Sequence, residues 1–315
     1  MPYNNITDRS DASALIPEEA ASQIIQDLPK TSVALTRFRR VTMSRKQQRM
    51  PVLSALPTAY FVEGDTGLKQ TTEQAWTNKY LNAEELAVIV PIPEAVLDDT
   101  EFDMWTEIRP RLVEALGIAV DGAVLFGTNK PASWPDAIED GAAAAGNAFT
   151  RASVANKDLV HDINKCMGLV EADGFDVNGF LARKSLKADL RDLRDSNGQP
   201  IYSASLTSPT PMTVYAEPVQ YVDNGAWDNT RADLICGDFT QGIMAVRQDL
   251  QWKLLSEAVI QDNTGAIIYN LAQQDMVALR VTMRVAFQVA NPTTRLNPNG
   301  STRYPFSVLR PAGFV

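Results

Sequence analysis

Histidine and cysteine are almost missing from this 315-residue chain, which has one His and two Cys. With only His161, Cys166 and Cys236 on hand, no zinc site of ordinary composition can be assembled. No disulfide framework is available either, and so few thiols point to a reducing cytosol. No stretch approaches the ~18 consecutive apolar residues of a membrane span. The N-terminus, MPYNNITDRSDAS, lacks the basic start and apolar run of a signal peptide. Positive charge is in deficit, with 29 Lys and Arg against 38 Asp and Glu and a formal net charge of −9. That balance argues against a nucleic-acid binder driven by bulk charge. Phosphate-loop, dinucleotide, nucleophile-elbow and zinc-protease signatures are all missing.

The remaining candidates for chemistry have plainer readings. The glycine–alanine run at 141–146 has no Lys-Ser/Thr after it and no β pattern before it, so it reads as a flexible surface loop. His161, between Val160 and Asp162, falls mid-helix and reads as satisfied or solvent-facing. Cys166 lies on the apolar side of that helix and reads as a small buried hydrophobe. Carboxylates abound, yet nothing in the sequence sets two of them across a cleft. No catalytic residue, cofactor site or metal site is assigned, although a hydrolase with an unseen carboxylate pair stays open as a competing class.

What is present is globular: 45 % hydrophobic and 21 % charged residues. The stretch Asp98–Gly127 organises the rest. Trp105, Ile108, Leu112, Leu116, Ala119 and Ala123 recur at helical spacing. Asp98, Asp99 and Thr100 are cap candidates, and Glu101 and Asp103 put negative charge in the first turn. Gly127 is a left-handed stop. A rod of about 26 residues, roughly 39 Å at ~1.5 Å per residue, is far longer than an ordinary helix. Pro110 and Gly117 inside it predict a bend.

Elsewhere the pattern predicts a polar arm over residues 1–14 and a short amphipathic helix from Leu15 to Pro29. Two extended segments, Met50–Val62 and Ala83–Pro93, read as a two-stranded arm with the polar stretch between them as its tip. Such a hairpin cannot bury enough apolar surface alone and needs something to lie on. Further on come helices at Asn156–Ala172 and Lys184–Arg194. Short strands follow at 178–182, 212–215, 219–222 and 234–236. The C-terminal third is rich in strands at 242–257, 266–269, 276–289 and 306–309. Arg37, Arg39, Arg40, Arg45, Lys46 and Arg49 form a basic strip free of acids. It has three readings: a solvated strand face, a partner for acids such as Asp98, Asp99, Glu101 and Asp103 on a neighbouring subunit, or a phosphate contact.

Four blocks together resemble the major capsid proteins of tailed bacteriophages, the Hong Kong 97-type family. They are Leu15-Ile16-Pro17-Glu18-Glu19 with its helix; Met50–Gly64 with Leu86–Pro93 leading into the rod; Leu190–Tyr202 with Glu217-Pro218-Val219; and Gly237–Gly242. The resemblance implies an α+β fold. Its parts would be an N-terminal arm (1–40), an extended-loop hairpin (41–92), a peripheral domain with a spine helix (93–130), an axial domain (131–235) and a return to the peripheral domain (236–315).

It implies a structural role as well: self-assembly into the hexamers and pentamers of an icosahedral head around double-stranded DNA, with a portal and no membrane. Only about 14 residues precede Leu15, so a separate scaffold protein, or none, is expected. Some family members weld the loop to a neighbour through a lysine–asparagine bond promoted by a glutamate. Lys69 or Lys79 would be the donor here, but the acceptor and acid positions fall near Asp275 and Thr282, so shells without covalent links are expected. Pro110 and Gly117 would let the spine bend as the shell expands. The alternative within this fold is an encapsulin-like bacterial compartment.

Overall fold

The computed structural model describes residues 31–62, 67–99, 104–152, 158–194, 197–199 and 213–314. The expected helix from Leu15 to Pro29 lies outside them, as do Thr100, Glu101 and Asp103. The chain enters through a one-turn helix, α1 (Val33–Arg37), and a short strand, β1 (Arg39–Thr42). A hairpin follows, β2 (Gln47–Ala55) against β3 (Ala75–Asn82), in antiparallel register from Gln47–Asn82 to Ala55–Ala75.

Here the strand assignment read from the sequence needs correction. The second strand of the limb is β3, and the Val- and Ile-rich segment is a separate strand, β4 (Glu84–Pro93). It pairs with the long strand β13 (Met276–Val289) in a sheet ordered β1-β10-β13-β4, where β10 is Gly242–Leu255. The physical reason is burial. Four side chains of β3 are exposed, so nothing selects an apolar run there, whereas β4 packs under the spine and carries one. Pro91 and Pro93 are tolerated because β4 is an edge strand.

After α2 (Glu94–Asp99) comes the spine, α3 (Met104–Phe126), unbroken through Pro110 and Gly117. Leu112, Leu116, Val120, Ala123 and Val124 face the sheet, while Ala119, expected inward, is exposed. Gly127, at φ +73°, ends the helix, with the Thr128 N–H reaching back to the Gly122 carbonyl. Along β13, Val281, Met283, Val285, Phe287 and Val289 meet the spine face, the period of two expected of RVTMRVAFQV. At ~3.3 Å per residue, 14 residues give β10 and β13 a length of about 46 Å.

The second body is built around a six-stranded sheet. Its elements are α4 (Ile138–Ala145), β5 (Ala148–Thr150), α5 (Leu159–Ala172), β6 (Phe180–Arg183), α6 (Leu186–Arg191), β7 (Thr213–Val214), β8 (Glu217–Val222), β9 (Leu234–Gly237) and, from the C-terminus, β14 (Phe306–Arg310). The sheet order is β5-β14-β9-β6-β8-β7. The run at 141–146 is not a loop. It completes α4, whose Glu139 and Asp140 suit the first turn and whose Gly146 is a left-handed C-cap. Alanine's high helix propensity explains the difference.

Alternate residues of the central strands face opposite ways. Leu181, Ile235 and Val308 join the spine's core, whereas Phe180, Ala182, Leu234, Cys236 and Leu309 pack against α5 and α6. Both faces are covered, so these strands read as continuous apolar runs. Phe38 sits where the two bodies meet, its ring 5.8 Å from Phe239 and 6.1 Å from both Phe287 and Phe306. Burying one such side chain contributes ~1.5–3 kcal/mol. A small hairpin, β11 (Val259–Gln261) with β12 (Ile267–Asn270), caps the far end of β10 and β13.

Candidate assembly surfaces

Asp121, wholly buried in the last third of the spine, joins the entering chain to the rod. Its carboxylate accepts from Ser32 Oγ at 2.6 Å, Val33 N–H at 2.9 Å, Ala34 N–H at 2.9 Å and Asn224 Nδ2 at 2.6 Å. A buried carboxylate needs such donors, because unpaired it would lose its solvation without return. α1 is thereby capped by a residue nearly ninety positions away, and the loop after β8 is drawn to the same point. Gly117 makes room for this: a Cβ there would stand 3.3 Å from Ser32 Cβ and N. Its smallness is used for close approach. Pro110 lies on the exposed side of the helix.

At the other end of the spine, Arg231 donates to the Phe126 carbonyl, Glu139 and Asp140, and Arg310 Nη2 donates to Glu139 Oε1 at 2.6 Å. Glu139 is buried, so this network fastens the rod's C-terminus and α4 to β14. None of Asp121, Glu139 and Arg231 stood out in the sequence. A signal existed for Asp121: it falls at the i+4 position from Gly117 on the buried face, where a charge demands partners.

The six basic residues do not form one surface. Arg37 turns inward, its guanidinium 5.0 Å from the Phe239 ring centroid and donating to the Asn178 carbonyl at 3.3 Å. Arg40 is exposed but donates through Nε to the Leu35 carbonyl at 2.6 Å. Arg39, Arg45, Lys46 and Arg49 remain exposed, and among the described residues none of the six has an ion-pair partner. Asp98 and Asp99 end α2 and are also exposed.

Lys69 is exposed towards the hairpin's tip, but Lys79 is not a free donor. Its ammonium donates to the Val289 carbonyl at 2.8 Å, and burial, then the charge of Arg303, hold its pKa below the ordinary lysine value. Asp275 is an exposed turn residue at φ +48°, and Thr282 lies within β13 opposite Ala87 and Gln251. Neither supplies the amide or the glutamate that a lysine cross-link uses.

The hairpin's base is anchored where Leu81 and Ala83 pack with Met43, Ile243, Ala245 and Ala286 on the sheet face opposite the spine. Its outer part is bare. Phe61 is fully exposed, Leu68 is 89 % exposed and Trp76 is 62 % exposed. A second uncovered apolar area lies around the far end of β10 and the small hairpin, with Leu254, Val259, Ile267 and Ile268. Solvated monomers rarely leave such groups of large apolar side chains uncovered.

His161 stacks edge-on to Phe149 at 6.5 Å and has Nδ1 3.5 Å from Asp162. Cys166 and Cys236 are buried, and burial pushes the Cys166 thiol up to about 12. Among the described residues no cluster of His, Cys, Asp and Glu is fit to hold a metal, and no helix is long and apolar enough to cross a membrane.

The model of the phage capsid family matches residues 12–294. A solved structure from Microbacterium phage Oxtober96 superposes with a TM-score of 0.86 at 41 % identity, covering 98 % of this chain and 100 % of that one. One from Mycobacterium phage Cain gives 0.85 at 32 % identity, covering 98 % and 99 %. The major capsid protein of Staphylococcus phage 80alpha is 25 % identical over 294 residues, 91 % of this chain and 86 % of that protein. The α+β architecture is the Hong Kong 97-type fold, with α3 as spine and β2–β3 as extended limb. The chain belongs to the phage capsid family, and its role is that of a structural protein of the phage head.

Proposed function

We propose that copies of this chain close into hexamers and pentamers, and that these rings join into an icosahedral shell around double-stranded DNA. The observation that carries the proposal is the bare limb: Phe61, Leu68 and Trp76 stand exposed on a hairpin whose base alone is packed. Head-to-tail contacts that close on themselves give rings, and limbs laid over neighbouring copies join the rings. The shell assembles in the host cytoplasm, grows from a portal and uses a separate scaffold protein. It performs no catalysis, and its contacts are non-covalent, since Lys79 is held by Val289 and the cross-link's other two positions are Asp275 and Thr282. The curated relatives are phage proteins, which disfavours an enzyme-holding bacterial compartment.

Light scattering and negative-stain imaging of the expressed protein test the proposal. Wild-type protein should give closed shells, and F61D with L68D should give folded, unassembled subunits. Each exposed aromatic covered by a neighbour contributes ~1.5–3 kcal/mol, roughly tenfold or more in affinity per contact. Shells formed equally well by the double variant would remove the limb from assembly. The exposed Arg39, Arg40, Arg45, Lys46 and Arg49 contact packaged phosphates or acids of neighbours. Salt-sensitive DNA retention by particles, lost on changing Arg39 and Arg40 to Ala, selects the phosphates, and unchanged retention rejects them.

A further inference from the structure

Where the limb leaves the body, a cleft of about 310 Å³ opens between the hairpin and the loop after β13. Ser54, Thr77 and Lys79 line one wall, and Asn291, Thr293 and Arg303 line the other. The two cations have only neutral acceptors. Lys79 Nζ gives one proton to the Val289 carbonyl. Arg303, 4 % exposed, donates from Nε to Asn291 Oδ1 at 3.1 Å and from Nη1 to the Asn297 carbonyl at 2.7 Å; its Nη2 reaches the Asn291 carbonyl only at 3.4 Å. Neither cation forms an ion pair with a carboxylate among the described residues. An ammonium has three donors and a guanidinium five, so N–H groups on both remain uncommitted.

We propose that this cleft binds one small oxyanion, either a free phosphate-like ion or a carboxylate of a second copy, between Lys79 and Arg303. Lys79, half-buried, and Arg303, buried, repel across the gap, with Asp173 offsetting only part of the burial cost at Arg303, and an anion between the two cations relieves both the repulsion and the lost solvation. Burial lowers the pKa of both groups; the charge of Arg303 lowers that of Lys79 further, while Asp173 opposes the shift at Arg303. The hydroxyls and the Asn291 amide in the walls suit an oxyanion better than a bare halide. Because one wall is the hairpin and the other the body, occupancy fixes the angle at which the limb leaves the subunit. The carboxylate source rests on the shell reading; the free-ion source does not.

Full-length unassembled subunits are melted in rising inorganic phosphate at constant ionic strength, with sodium chloride as control, for wild type, K79R and K79Q. Arg303 is left unaltered because its loop depends on it. A free-ion site gives a saturable rise of roughly 2–4 °C in wild type and K79R and none in K79Q. A carboxylate-filled site gives no phosphate response in subunits. In that case assembled K79Q shells lose heat resistance beyond any change in the K79Q subunit, and K79R shells keep it. A phosphate response that survives in K79Q overturns the proposal. So does the absence of a response together with shells that weaken no more than their subunits. Failure of wild type to form shells removes the shell reading alone, since the subunit titration still reports on the cleft.

Discussion

Four donors converge on Asp121 from two separate parts of the chain, and no cation is among them. Hydrogen bonds to a charged, buried acceptor are worth more than neutral ones, and removing the acceptor strands every donor at once. D121A should therefore lower subunit stability by about 2–4 kcal/mol. Limited proteolysis should then cut within 31–38 while the sheet stays protected. A variant that melts with wild type would show that α1 is held by packing alone. The same reasoning explains why Asp121 was hard to see beforehand. A lone carboxylate in an apolar stripe says that partners exist, but its partners come from residues 32–34 and from Asn224, which no local pattern connects to it.

At the scale of elements, the spine and the long strands were legible because their own chain buries them. Period-3.6 and period-2 patterns are written where one face meets a core, and so α3, α5 and β13 were legible from their spacing, with Ala119 the exception. The limb was legible only as a need for cover. Its second strand, AWTNKYLN, meets solvent on most sides, carries no periodic signal and lost its place to the more apolar β4. Alanine and glycine at 141–146 misled in the opposite direction, since helix propensity there outweighs the look of a linker.

The two interruptions of the spine also separate. Gly117 is accounted for by contact with Ser32, whereas Pro110 is exposed. Proline is ~3 kcal/mol less favourable than alanine inside a helix. P110A should therefore raise subunit stability, by less than that amount because the unfolded chain also gains freedom. If Pro110 serves as the bending point, P110A particles expand more slowly on maturation. Expansion at the wild-type rate would remove that role.

For the whole molecule, the account is of a subunit completed by its neighbours: a core shared by two sheets, and two uncovered apolar areas at the ends of its long axis elements. Non-covalent joining makes a plain prediction. Mature particles boiled in detergent should run as a single band near 34.6 kDa, whereas a ladder of higher species would show covalent linkage. The most direct measurement compares backbone hydrogen exchange in unassembled subunits and in closed shells. Residues 56–62, 67–74 and 256–269 should exchange quickly in the subunit and become strongly protected in the shell, while the spine is slow in both. Equal exchange of those segments in the two states would contradict the claim that copies of the chain provide their cover.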